Sequence, residues 1–230
     1  MNKYPPSPVQ ERLNSLPYNP PAGPEIVFAD GHVLVVNKTA GLLSVPGKAP
    51  GRHECLAARM AVAYPGSQIC HRLDLETSGL MVLALTDEAR RRLGDAFEHR
   101  RVEKTYVARV WGHVEPSSGT VDLPLRCDWP NRPLQMVDHE QGKRAQTDYQ
   151  VLAHEGETTL VSLTPATGRT HQLRVHMQSL GHVIIGDMLY AQGRALAMSD
   201  RLCLHAERLA FAHPHSGEWS VFERRAPFIS

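Results

Sequence analysis

From Glu25 onward the chain is a succession of short apolar runs, most of them separated by turns rather than by helices. Ile26-Val27-Phe28 and Val33-Leu34-Val35-Val36 flank Asp30-Gly31, a strong short hairpin signal. Leu80–Leu85 is an uninterrupted apolar run of the length of a buried strand. Further strands are predicted at about 105–111, 119–125, 146–153 and 158–164. A last pair, about 207–212 and 218–223, turns over His215-Ser216-Gly217. Helices are few. One is predicted around 53–63. A second starts near Thr86, with Asp87 and Glu88 where carboxylates suit the helix dipole. Ala89, Leu93, Ala96 and Phe97 then form one buried stripe, which turns Arg90, Arg91 and Arg92 outward. A third runs from Thr170 to Leu180, with Gly181 as its stop. Strands that follow one another directly pair as antiparallel neighbours. The pattern therefore predicts an α+β fold with a mixed, largely antiparallel central sheet and flanking helices, not a doubly wound parallel fold.

Residues 1–24 hold 7 of the 17 prolines and little periodic apolar pattern. They predict an extended or disordered proline-rich lead, too short for a domain of its own. Residues 25–230 are then one domain, and 230 residues suffice for a proper core. The formal net charge of +1 excludes a whole-molecule field for polyanions, so charge has to be read locally. Between Arg90 and Lys104 six cations face three carboxylates. That stretch, with Arg126, Arg132, Lys143 and Arg144, is expected to meet phosphates. Cys55, Cys70, Cys127 and Cys203 form no CxxC pair, and no signal sequence is expected at the N-terminus. Reduced thiols in a cytoplasmic protein are the expectation. No apolar run is long enough to span a bilayer, so no membrane partner is expected. His171 and His176 lie five residues apart, not the four that stacks two ligands on a helix, and HExxH is absent. No metal site is expected.

Three segments carry polar groups that the fold alone does not require. In His71-Arg72-Leu73-Asp74-Leu75-Glu76-Thr77-Ser78-Gly79 a carboxylate sits just before the buried run. In Lys104-Thr105-Tyr106-Val107-Ala108-Arg109-Val110 strand alternation puts Tyr106, Ala108 and Val110 on one face. In Gly168-Arg169-Thr170-His171-Gln172-Leu173-Arg174-Val175-His176 polar groups crowd a helix start that needs only one cap. Read alone, Asp74 and Arg72 are equally a salt-bridged strand cap.

In this order and spacing, HRLDLETSG, KTYVARV and GRTHQLRVHM resemble the three catalytic motifs of the RluA family of pseudouridine synthases. The resemblance runs from about Glu25 to Pro227. VVNKTAGLLSVPG, VDLPLRCDWPNRP, the GK.AQT pattern at 142–147 and HVIIGDMLYA fit its dual-specificity branch. No S4-type RNA-binding module is expected before the domain, because the short proline-rich lead could not form one. The resemblance implies a pseudouridine synthase fold with an active-site cleft, and isomerisation of uridine to pseudouridine without a cofactor. The implied partners are structured RNAs, namely stem-loops of 23S ribosomal RNA and of transfer RNA, met by a monomer in the cytoplasm.

The same resemblance assigns roles. Asp74 is the carboxylate of the glycosidic rearrangement, which takes place beside the sugar as glycoside chemistry does. Attack on C1′, attack on the base and removal of the 2′ proton all remain open. Arg174 pairs with Asp74, and an adjacent cation favours an ionised carboxylate in a desolvated pocket. Tyr106 stacks on the flipped uracil or helps remove the C5 proton. Leu173 is an apolar wall, and Arg72 fills the gap left by the extruded base. His71, Thr77, Arg169, Trp129 and Arg132 are expected around the substrate. A rival reading, a nucleoside or glycoside hydrolase using Asp74 with Glu76, would be told apart by release of free uracil.

Overall fold

In the computed structural model, which describes residues 5–229, most of the strand runs join a single sheet. In chain order the elements are α1 (Pro8–Ser15), β1 (Glu25–Ala29), β2 (Val33–Lys38), α2 (Leu56–Ala63), β3 (Gln68–Ile69), β4 (Ser78–Ala84), α3 (Asp87–Glu98) and β5 (Glu103–Trp111). Then follow β6 (Ser118–Asp122), β7 (Leu125–Cys127), β8 (Gln135–Val137), β9 (Gln146–Glu155), β10 (Thr158–Pro165), α4 (Gln172–Ser179), α5 (Gly193–Ala197), β11 (Leu204–Ala212) and β12 (Trp219–Glu223).

The sheet order is β1-β2-β4-β11-β5-β10-β9-β6, with β12 on β11 and β3 on β4. The β4–β11 pair is parallel, and the other strand pairs of this sheet are antiparallel. The α+β reading with a mixed, largely antiparallel sheet therefore holds. Gly79 makes the parallel join possible. Its φ is +119°, and a Cβ there would overlap the Ala206 backbone of β11. Beside it, Ser78 Oγ lies 2.7 Å from His205 Nδ1 and accepts from Arg201 at 2.6 Å.

Apolar residues divide between the two halves of the sheet. Val33, Val35, Leu80 and Val82 pack with Ala89 and Leu93 of α3, as the predicted stripe requires. Arg90, Arg91 and Arg92 are exposed behind that stripe. On the other half Ala108 and Val110 pack with Val161, Leu163, Leu173 and Met177, and Tyr106 lies against them. The alternation predicted for β5 is thus realised.

Three expectations need correction. Residues 8–15 are helical, not extended. Ser7 accepts from Gln10 N at 3.1 Å as N-cap, and Pro8 occupies the first turn, where its missing N–H is no loss. This helix buries no residue of its own. It is held by backbone acceptors instead: Arg52 donates to Leu13 O at 2.6 Å, and Ser7 Oγ donates to Arg132 O. The first four residues of the proline-rich lead lie outside the described residues. Next, the strand predicted at 119–125 stops at Asp122, and Pro124 separates it from the small β7–β8 ribbon. Finally, Arg126 is not free for a phosphate, because it is paired with Asp138.

Candidate active site

The motifs meet in a cavity of about 650 Å³. The loop before β4 supplies His71, Arg72, Leu73, Asp74 and Thr77 to its wall, and β5 supplies Lys104 and Tyr106. The β10–α4 connection and the first turn of α4 supply Arg169, His171, Gln172, Leu173 and Arg174. Eight of the ten residues expected at the site therefore line one cavity. Trp129 and Arg132 do not. They form a 3-10 turn region beyond β7, where the Arg132 guanidinium lies 4.9 Å over the Trp129 ring. Trp129 is 49% exposed, so it is not a core residue either. Glu76 faces a different cavity with Lys38, Ser78 and Arg201, which separates it from Asp74.

Each loop is fixed from behind. Lys38, fully buried, donates from Nζ to Thr39 O at 2.9 Å, Leu42 O at 2.7 Å and Leu75 O at 3.1 Å. Burial lowers its pKa to about 7, against the pull of Glu76 and Asp74. Ser44 donates to Leu73 O at 2.7 Å and accepts from Leu73 N at 3.1 Å. The Asp74 loop is thus tied down on both sides of the carboxylate.

The start of α4 is built by Gln172. Its Oε1 accepts from Thr167 Oγ1 at 2.7 Å and Arg169 N at 3.0 Å, and its amide donates to Gln146 O at 2.9 Å and Thr147 Oγ1 at 3.0 Å. A buried amide with four partners is rigid. His171 before it takes a left-handed φ of 52°, which non-glycine residues seldom adopt outside constrained sites. The next side chains, Leu173 and Arg174, then enter the cavity wall.

Arg174 is 4% exposed and is gripped by Asp187, itself fully buried. Nε meets Oδ2 at 2.7 Å and Nη2 meets Oδ1 at 2.6 Å, a bidentate pair. Nη1 remains for Asp74, 3.4 Å from its Oδ2. Burial disfavours the guanidinium charge, but Asp187 and then Asp74 outweigh it and raise the pKa further. The Tyr190 ring lies 5.1 Å from the guanidinium carbon. Asp187 and Tyr190 lie in the HVIIGDMLYA stretch but were not among the expected site residues. An aspartate following Val183-Ile184-Ile185-Gly186 was the available signal.

His171 Nε2 lies 3.8 Å from Asp74 Oδ2, too far for a hydrogen bond. Burial holds its pKa at about 4, so at neutral pH the contact is not an ion pair. Nδ1 lies 2.8 Å from the Tyr190 hydroxyl, which accepts from Gln135 N at 2.9 Å. Burial raises the Tyr190 pKa, so its one proton is assigned to Nδ1. The Nε2–H of His171 then faces Asp74.

Burial, reinforced by the Asp74 charge, also raises the Tyr106 pKa. Tyr106 is therefore a neutral phenol on the cavity wall, with no hydrogen-bond partner among the described residues. A phenolate base is disfavoured there. What the cavity presents is a carboxylate with a preset cation on one side, a neutral aromatic ring on another and an apolar leucine between.

The comparisons with known proteins agree with this geometry. The RNA pseudouridylate synthase family profile matches residues 32–179. The dual-specificity RNA pseudouridine synthase RluA of Escherichia coli strain K12 is 51% identical over 214 residues, covering 92% of this chain and 98% of that protein. Its namesake from Vibrio vulnificus is 54% identical over 208 residues, covering 87% and 83%. Among solved structures, human RNA Pseudouridylate Synthase Domain Containing 1 superposes with a TM-score of 0.77 at 32% identity, covering 92% of this chain and 87% of that one. A carboxylate, tyrosine and arginine gathered from three distant motifs, within a chain so closely matched, have one consistent reading: the chain belongs to the RNA pseudouridylate synthase family, enzymes that isomerise uridine to pseudouridine in RNA.

Proposed function

We propose that this enzyme modifies uridines in stem-loops of both 23S ribosomal RNA and transfer RNA, with Asp74 as the reacting carboxylate. Two observations of different kind support the reading. Asp74, Tyr106 and Arg174 line one cavity. The relatives carrying a dual-specificity name span nearly the whole chain.

The reaction breaks the N1–C1′ bond, turns the uracil and closes a C5–C1′ bond, after which the C5 proton leaves. Atoms and oxidation state balance within the nucleotide, so the reading requires no cofactor. C1′ and C5 are inaccessible in a stacked strand, so the uridine enters the cavity extruded. A loop lowers that cost, because its bases are already partly unstacked. Asp74 then meets the sugar or base while Arg174 holds its charge in place. Tyr106, neutral, lies flat against the base, and Leu173 closes the apolar side. Arg72, exposed at the mouth, enters the space the base has left. We further propose that the enzyme works as a monomer in the cytoplasm, where its four unpaired cysteines stay reduced.

The test is Asp74→Asn, assayed by tritium release from C5-labelled ribosomal and transfer RNA stem-loops. Loss of turnover by at least ~10⁴-fold on both RNAs is expected, with RNA binding retained. Full turnover would overturn the role of Asp74. A wild-type enzyme active on one RNA and inert on the other would overturn dual specificity.

A further inference from the structure

One end of the cavity wall is built of donors that have no acceptor among the described residues. His71 Nε2 accepts the Val82 backbone N–H at 3.0 Å. The ring is neutral, since burial and then the Lys104 charge hold its pKa at about 3. Its proton therefore sits on Nδ1, and Nδ1 has no partner among the described residues. The ring is fixed by stacking on Phe97 at 4.5 Å. Next to it lies Lys104, on the same face of β5 as Tyr106. Burial lowers the Lys104 pKa, which marks its ammonium as partly desolvated. Unlike Lys38, which has three carbonyl acceptors, Lys104 has no hydrogen bond or ion pair among the described residues. A partly desolvated cation without a protein partner gains when an anionic ligand completes it.

The mouth at this end has the same character. Arg72 and Arg100 line it, and neither guanidinium has a hydrogen bond or ion pair among the described residues. Arg100 follows α3 at a φ of 57°, where glycine is the unstrained choice. Its strain sets an arginine on the cavity rim. One carboxylate, Glu98, shares the rim and is exposed.

Spacing identifies what these donors meet. Residues two apart on a strand face are separated by roughly 7 Å. That is about the reach from the reacting sugar to a neighbouring backbone phosphate. We propose that Lys104 and the His71 Nδ1–H together bind a non-bridging oxygen of a phosphodiester flanking the extruded uridine. The contact fixes the nucleotide along the strand direction, while Tyr106 and Leu173 fix the plane of its base. This inference rests on the cavity being the uridine site.

The experiment is a cycle between protein and RNA. Stem-loop RNAs carry a neutral methylphosphonate at the phosphate 5′ or 3′ of the target uridine. Affinity and single-turnover rate are measured for wild type, Lys104→Met and Lys104→Arg. Removing one charge-assisted contact is expected to lower wild-type kcat/KM about 10- to 100-fold for one of the two RNAs. Lys104→Met should lose a similar factor on natural RNA and lose nothing more on that modified RNA. Lys104→Arg should keep the discrimination between charged and neutral phosphate, which guards against a Met variant that fails to fold. Wild type indifferent to both methylphosphonates, or losses that multiply at both positions, would overturn the proposal. Because affinity is read as well as rate, the result stands apart from the role of Asp74. A fully active Asp74→Asn protein would refute that role and leave the phosphate cycle interpretable.

Discussion

Asp187→Asn tests whether Arg174 is set by a buried partner. Asp187 is fully buried and holds Arg174, 4% exposed, through bonds of 2.7 and 2.6 Å. Asparagine keeps one acceptor oxygen and turns an NH2 group toward the guanidinium donors. Arg174 then has a single good bond on that side and an uncompensated buried charge. Removing one partner of such a pair destabilises by about 3–5 kcal/mol. Asp74 at 3.4 Å remains as partial compensation, which places the loss near the lower figure. For a chain of this size about 3 kcal/mol lowers the Tm by roughly 6–12 °C. Catalysis should suffer as well, because the freed guanidinium closes on Asp74 and ties up the oxygen it normally only flanks. A displacement of that kind lowers the single-turnover rate about 100-fold. Thermal melts followed by circular dichroism, with tritium release well below the Tm, measure both effects. An apolar pair, Arg174→Met with Asp187→Leu, should recover most of the stability and none of the activity. If Asp187→Asn melts as wild type does, the buried-charge argument fails. If it loses stability yet turns over normally, Asp187 does not orient Arg174.

Two further outcomes follow from the fold. His71, His171 and His205 have pKa values held by burial at about 3, 4 and 4, against 6.5 in the unfolded chain. Below pH 6.5 the unfolded chain takes up protons that the folded chain refuses. Stability should thus be intact above that pH and fall down to about pH 4, by up to ~1.4 kcal/mol per pH unit for each ring. A urea midpoint constant from pH 7 to 4.5 would contradict this. Gly79→Ala should destabilise by at least ~3 kcal/mol, since its Cβ meets the Ala206 backbone at a left-handed φ. A variant melting within about 3 °C of wild type would refute the close approach.

Much of the sheet was legible because its pairings are local. The β1–β2 hairpin and the β9–β10 pair join neighbours in sequence, and their alternation or turn residues announce them. The β4–β11 join has no such signature, because nothing local in either strand names a partner more than a hundred residues away. Asp74, Tyr106 and Arg174 were legible through their motifs. Asp187 and Tyr190 were not, since a polar residue in an apolar run declares its partner only once the chain has folded. The helix at Pro8–Ser15 escaped for a related reason. Proline density suggested extension, whereas Ser7 and Pro8 are an ordinary helix start whose anchor, Arg132, lies far along the chain.

The parallel join also orders events during synthesis. The hairpin of β1 and β2 with β3 and β4 can form as soon as those residues leave the ribosome. Asp74 is already present in that piece, yet its arginine is made 100 residues later. The strand that docks against Gly79 begins at Leu204, which also walls the cavity. A nascent or truncated chain therefore carries the proposed reacting carboxylate without a pocket around it. Competence to rearrange RNA arrives nearly all at once, when the C-terminal strands close the sheet.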